Sequence, residues 1–211
     1  MSKALFVFPG WSLGESSYKK LVSNLSGWNI VFVPYVEIAS RKTLNEISDE
    51  VSVFLKGTEN VFVLGHSLGG ILAMDFAARY PQKVSHLFLA NSVGNIYDLP
   101  LHLLFQGFAK NNLAYARFAF WEQVRSFGRV VSNLRTQIKL VKHAARYDSS
   151  EVAKKVKVST TLLWGTEDHL VSVEAGKRLH GLIVGSSFYA IENEGHDWIV
   201  HKPEYLLKHL N

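Results

Sequence analysis

The chain has no cysteine, which excludes a disulfide scaffold, thiol catalysis and Cys-ligated zinc or iron–sulfur sites. Proline is scarce, with five scattered over 211 residues and no low-complexity tract around them, so disorder is not indicated. Charged residues make up only 19% against 47% hydrophobic, the balance of a globular chain with a substantial core. Long apolar runs are also missing. "ALFVFPGW" is too short for the core of a signal peptide and far short of the ~20 residues of a membrane span, so it reads as a buried first strand. A cytoplasmic protein is the expectation. Asn24-Leu25-Ser26 fits the glycosylation pattern, but without a secretion signal the match is accidental. No repeat of solenoid or propeller period occurs, and the length suits one domain with room for an insertion.

Acidic charge is lacking in one place. Between Tyr97 and Ser150 eight basic residues stand against three acidic, a net of +5 that equals the excess of the whole chain.

Six short runs rich in Val, Leu, Ile and Phe punctuate the sequence: "ALFVFPG", "NIVFVP", "NVFVLG", "SHLFLAN", "STTLLWG" and "SFYAIEN". Continuous apolar runs of this length are strands buried on both faces, the mark of a parallel sheet. Helix-compatible stretches lie between most of them: Glu15–Ser26, Leu44–Lys56, Leu68–Tyr80, Val173–Leu182 and Pro203–Leu210. Ser172 is placed to cap the fourth. The expected fold is α/β, a mostly parallel sheet of about six strands with helices on both faces. The alternation breaks between Asn91 and Thr160, where Leu99–Lys110, Leu113–Phe127 and Val130–Arg146 have helical spacing. Residues 1–96 and 151–211 are therefore expected to form the core, and 97–150 an inserted helical cap over the carboxyl ends of the strands.

At the third run, "NVFVLGHSLGGILAMDFAARY" sets Ser67 between Gly65 and Gly69 where a strand turns into a helix. A serine hydroxyl is a weak nucleophile that needs a base, an orienting acid and an anion site. A sharp turn lifts the hydroxyl into a cleft, and the flanking glycines remove Cβ atoms that would collide with the bend and the neighbouring strand. The Leu68 amide, in the first turn of the helix, then points at developing negative charge. "TLLWGTEDHLVS" delivers Asp168 to the carboxyl edge of the sheet, and "FYAIENEGHDW" delivers His196. The order serine, acid, histidine is the one expected when the nucleophile follows a middle strand.

"GHSLGG", "LLWGTEDHLVS" and "ENEGHDWIVHKPEYLLKHL" resemble the nucleophile, acid and histidine turns of the α/β-hydrolase family, and the likeness covers nearly the whole chain outside the insertion. It implies Ser67 as nucleophile, Asp168 as acid and His196 as base, with residues 97–150 as lid and no cofactor. The second oxyanion amide is expected from Trp11 in "FPGWSLG", where Pro9 replaces the family's usual histidine. The first apolar run is expected to be the family's first parallel strand, without the leading antiparallel strands. "YVEIASRKTL" stands where many relatives carry a Gly-rich loop, so the pocket wall is expected to differ.

Other residues have plainer readings. His66 reads as packing or hydrogen-bonded structure, His169 as a turn residue and Asp75 as structural. Asp197, Glu194 and Asp98 are alternatives to Asp168 as the orienting acid. His196, Asp197 and His201 lack metal-ligand spacing, so no metal is expected. Of the five tryptophans, Trp11 and Trp121 are candidate pocket walls.

Phe105, Phe118 and Trp121 are candidate pocket residues, in a cap whose Leu103, Leu104, Phe108, Phe120 and Phe127 would suit an acyl chain. Its basic residues keep an apolar lid soluble, or steer an acidic substrate or carrier. Pimeloyl-carrier-protein methyl ester esterases, which the "GW" turn also resembles, use such residues; Arg117, Arg125 and Arg129 are the candidates here. Nucleic-acid binding is not indicated, since no recognised module is present. The combined reading is a serine carboxylic ester hydrolase acting through an acyl-enzyme on a short-to-medium acyl ester. The alternatives are an esterase or thioesterase on a carrier-bound substrate, carbon–carbon bond hydrolysis, and a non-catalytic binding module on the same scaffold.

Overall fold

The computed structural model describes residues 3–43, 46–55, 59–94, 124–144 and 148–210. Among these residues, all six expected apolar runs are strands: β1 (Ala4–Phe8), β2 (Asn29–Phe32), β3 (Val61–His66), β4 (Val84–Ala90), β5 (Thr160–Gly165) and β6 (Ser187–Ile191). They form one sheet in the order β2-β1-β3-β4-β5-β6, with every neighbouring pair parallel. The inner strand β5 is buried at every position, whereas the edge strands β2 and β6 are largely exposed or half-buried. That gradient is why the middle strands read as unbroken apolar runs.

Successive side chains along a strand point to opposite faces, and the core is divided accordingly. Phe6, Phe8, Val61, Val63, Leu162 and Trp164 pack on one face, against the helices α3 (Ile47–Phe54), α4 (Leu68–Arg79) and α8 (Val173–Leu182). Leu5, Val7, Leu64, Phe88, Ala90 and Leu163 pack on the other. They meet Leu21 of α1 (Lys19–Asn24), Trp198 of α9 (Trp198–His201) and Leu206 of α10 (Glu204–Leu207). The Ser172 hydroxyl does cap α8, accepting from the Ala175 N–H at 3.3 Å.

Three local expectations need correction. The segment Tyr35–Arg41, which is not among the expected helices, is a helix, α2, whose buried Tyr35, Ile38 and Ala39 dock it on the core. The closing helix, expected over Pro203–Leu210, starts there with Pro203 as the N-cap of α10 but ends at Leu207, and the separate helix α9 precedes it. Between β4 and β5, residues 124–132 form a helix, α5, that runs straight through the expected break at Phe127–Arg129. The chain turns instead at Asn133, before α6 (Leu134–Ala144); α7 (Ser150–Ala153) follows. Among the described residues no helix is long and apolar enough to cross a membrane.

Candidate active site

Parallel pairing with Phe8 opposite Gly65, His66 opposite Ala90, Ala90 opposite Leu163 and Gly165 opposite Ile191 brings the strand ends to one edge. The turns that follow β1, β3, β4, β5 and β6 are therefore neighbours.

Ser67 sits between β3 and α4 with φ 53° and ψ −124°. A non-glycine residue at positive φ is strained, and such strain concentrates where a side chain must be presented. Backbone bonds hold the turn: the Ser67 N–H donates to the Ala90 carbonyl at 3.1 Å, and the Ser67 carbonyl accepts from the Val93 N–H at 3.0 Å. The turn closes because its glycines have no side chains. A Cβ on Gly65 would lie 2.6 Å from the Gly70 Cα, and one on Gly69 would lie 2.2 Å from the Phe8 carbonyl oxygen.

The serine is half-buried, while Asp168 and His196 are 6% and 5% exposed. The Ser67 hydroxyl donates to His196 Nε2 at 2.8 Å, and His196 Nδ1–H donates to Asp168 Oδ2 at 2.7 Å. Asp168 Oδ1 accepts from the backbone N–H groups of Leu170 at 2.7 Å and Val171 at 2.8 Å. Gly165 is pressed against the histidine turn, so a Cβ there would lie 2.2 Å from the Glu194 carbonyl oxygen. The acid and histidine turns are thus docked backbone to backbone.

Burial by itself would depress the His196 pKa; the adjacent Asp168 charge and hydrogen bond outweigh it and raise the value above 6.5. For Asp168, burial pushes upward, but His196, the hydrogen bonds from His196 and Asn91 and the Val171 N–H hold the carboxyl below its usual range. The pair is a carboxylate beside a proton-accepting imidazole, which is the state general-base chemistry requires.

Sequence reasoning missed Asn91, which is fully buried at the end of β4 with φ 44°. Its Oδ1 accepts from the Gly165 N–H at 3.2 Å and the Trp198 indole N–H at 2.5 Å, which leaves Nδ2 to donate to Asp168 Oδ2. Its signal was only that of a strand-ending polar residue, since nothing in the sequence shows that its amide crosses to the acid turn.

His66 is also fully buried. The Gly10 N–H donates to the Tyr18 hydroxyl at 2.9 Å, the hydroxyl donates to His66 Nδ1 at 2.8 Å, and His66 Nε2–H donates to the His196 carbonyl at 3.2 Å. This chain of bonds ties the turn after β1 to the histidine turn, as expected of a structural histidine. Burial, the largest influence, pushes the His66 pKa down to about 4, so the ring is neutral.

Trp11 follows Gly10 in that first turn, which closes with the Leu13 N–H on the Gly10 carbonyl at 3.1 Å. Leu68 opens α4, so its N–H is among those with no carbonyl one helical turn back. His169 is exposed in the acid turn, and Asp75 accepts from the Ser48 hydroxyl at 2.5 Å. Glu194 binds Lys202 and, at 3.2 Å, His201, while Asp197 Oδ1 lies 3.7 Å from His66 Nε2. Neither carboxylate takes the place of Asp168 at His196 Nδ1. Among the described residues His66, His196 and Asp197 bring potential metal-ligand atoms together, but both nitrogens of both rings already serve the hydrogen bonds given above.

Asp98, Phe105, Phe118, Trp121 and Arg117 lie outside the described residues. Arg125 is exposed. Arg129, a candidate carrier contact, turns inward: its Nε–H donates to the Ser12 carbonyl at 2.7 Å and its other nitrogens reach the Ser16 and Ser17 hydroxyls at 3.4 Å. Phe127, expected to line a pocket, is 72% exposed.

A family model described as the alpha/beta hydrolase fold matches residues 43–141. The chain is 25% identical over 171 residues to the uncharacterized hydrolase YugF of Bacillus subtilis, covering 70% of this chain and 63% of that one. It is 25% identical over 216 residues to the monoacylglycerol lipase ABHD6 of Bos taurus, covering 84% and 64%. The chain thus spans less than two thirds of the length of these curated relatives. Among solved structures, the hydrolase olei00960 of Oleispira antarctica superposes with a TM-score of 0.79 at 17% identity, covering 99% of this chain and 90% of that one. With its parallel sheet order and its strained serine turn between β3 and α4, the chain has the α/β-hydrolase fold.

Proposed function

We propose that the chain is a serine-dependent carboxylic ester hydrolase. One observation carries the reading: an unbroken series of hydrogen bonds from Asp168 through His196 to Ser67, at 2.7 and 2.8 Å, ending on a hydroxyl held at a strained turn. In this mechanism His196 Nε2 takes the Ser67 proton as Oγ attacks the acyl carbon. The oxyanion forms against the amides of Leu68 and Trp11, and Asp168 balances the imidazolium charge. His196 then gives its proton to the leaving alcohol. Water, activated by the same ring, releases the acid from the acyl-enzyme.

The substrate we favour is a small-molecule ester of a short-to-medium acyl chain, with residues 97–150 serving as the cap. The carrier-bound alternative draws on the basic excess between β4 and β5, but the guanidinium of Arg129 is already committed within the chain. A panel of p-nitrophenyl esters of increasing acyl length, run on wild type and Ser67→Ala, tests the proposal. Mass spectrometry after a fluorophosphonate probe should place the label on Ser67. Labelling elsewhere, or equal turnover by the alanine variant, would overturn it.

A further inference from the structure

The helices α5 and α6 present an apolar stripe to solvent. Val124, Phe127, Val131, Leu134 and Ile138 recur at intervals of three and four residues, and are 47%, 72%, 56%, 51% and 45% exposed. That spacing puts Val124, Phe127 and Val131 on one side of α5, and Leu134 and Ile138 on one side of α6. The side that packs on the protein is a different one: Gln137, Leu140 and Ala144 are buried there, at 2%, 2% and 8% exposure. Lys139 fastens that side further, donating to the carbonyls of Ala39 and Lys42, each at 2.8 Å. The stripe therefore faces away from the core.

Charge says what could cover it. Residues 124–144 contain no aspartate or glutamate, and with Arg129 and Lys139 turned toward the protein, their exposed cations are Arg125, Arg135 and Lys142. A second copy of the chain would bring the same three cations against these, so self-association through this face is opposed. A basic helix with an exposed aromatic and aliphatic face fits the boundary between water and an anionic lipid layer, which accepts the apolar side chains and attracts the cations at once. The placement also serves the site. The Ser126 hydroxyl bonds to that of Ser12 at 2.6 Å and Arg129 to the Ser12 carbonyl, one residue from Trp11. A layer bound by this face would lie beside the turn proposed to hold the oxyanion.

We propose that the outward face of residues 124–144 docks the protein on anionic lipid surfaces, and that its ester substrate is an amphiphile taken from that layer. The substrate half rests on the serine-hydrolase reading; the docking half does not.

The test is co-sedimentation of Ser67→Ala protein with vesicles of phosphatidylcholine alone or mixed with phosphatidylglycerol. Each cation drawn to the anionic surface is worth about fivefold in partitioning, so binding to the mixed vesicles should exceed binding to the neutral ones by at least about tenfold and fall as salt is raised. Replacing Phe127, Val131 and Leu134 together by serine should weaken binding at least about tenfold while leaving the circular dichroism and thermal transition in place. No binding to mixed vesicles, equal binding to both kinds, or undiminished binding of the triple variant would overturn the docking surface. So would binding of an acidic acyl-carrier protein to this face with no vesicle binding. Loss of fluorophosphonate labelling at Ser67 in the wild type, with vesicle binding intact, would remove the substrate half alone.

Discussion

Asn91 donates its side-chain N–H to the same Asp168 oxygen that accepts the Nδ1–H of His196. Its own carbonyl oxygen is occupied by the Gly165 N–H and the Trp198 indole, so the amide cannot flip. One residue at the end of β4 therefore fixes the acid turn, the residue two positions beyond His196 and the charge distribution on Asp168. Removing that donor leaves more negative charge facing the imidazole and stabilises its protonated form. In Asn91→Ala the rising limb of kcat/KM against pH should move up by roughly half a unit to one unit. The same shift should be seen in the His196 ring resonances by NMR, without substrate. Two buried donors lose their acceptor as well, so stability should fall by about 1–3 kcal/mol for each. A fall in stability with an unmoved pH limb would show that Asn91 only packs.

The raised pKa of His196 has its own consequence for rate. Burial works against the charged ring, but the Asp168 charge and hydrogen bond prevail, so the ring still holds a proton somewhat above pH 6.5. Catalysis needs the neutral form. Activity should therefore still be climbing at pH 6.5 and reach its plateau only above the raised value. Asp168→Asn should lower kcat by about four orders of magnitude by upsetting the tautomer, and should shift the remaining activity to lower pH. A profile centred below pH 6 in the wild type would contradict this pairing.

His66 behaves in the opposite sense. Its pKa falls to about 4 on burial, against 6.5 for the ordinary side chain, so the unfolded chain takes up a proton there before the folded one does. Stability from this site is complete above pH 6.5 and is lost as pH drops toward 4, where the loss amounts to about 3 kcal/mol. Urea titrations at intervals between pH 4 and 7 should show that slope in the wild type and a shallower one in His66→Gln. Because the ring joins Tyr18 to the His196 carbonyl, the variant should also lose kcat more than it changes KM. An identical slope in both proteins would show that His66 is not the group responsible.

The sheet was legible because its inner strands are buried on both faces and so are apolar without interruption. Ser67, Asp168 and His196 were legible because each follows such a strand. What joins them was not. Asn91, Tyr18 and His66 act across distances of many residues, through hydrogen bonds that leave no periodicity in the sequence. The helix at Tyr35–Arg41 was hidden by its shortness, since two turns do not establish a period. The directions of Arg129 and Phe127 were not legible either, because they follow from a helix that continues where a break was expected. With the helix running on to residue 132, Phe127 faces solvent and Arg129 faces the Ser12 turn.

Gly69 and Gly181 offer a test of how much the serine turn depends on close backbone approach. Both lie in helices, α4 and α8, where alanine is ordinarily preferred over glycine by about 1 kcal/mol. Around Gly181 an added Cβ meets nothing within 4 Å, so Gly181→Ala should leave the melting temperature unchanged or raise it slightly. At Gly69 the same methyl group would lie 2.2 Å from the Phe8 carbonyl oxygen and 2.5 Å from that of Pro9. Both obstacles are backbone, so neither can rotate away. The start of α4 must instead retreat from the end of β1, and that movement separates Leu68 from Trp11, the two proposed oxyanion donors. Gly69→Ala should therefore cost about 3 kcal/mol in stability, at the upper end for overpacking. It should also slow acylation by a fluorophosphonate by about a hundredfold, in keeping with a displaced oxyanion donor. Equal melting temperatures and labelling rates for the two alanine variants would mean that the turn has slack, and that the approach of α4 to β1 does not hold the site together.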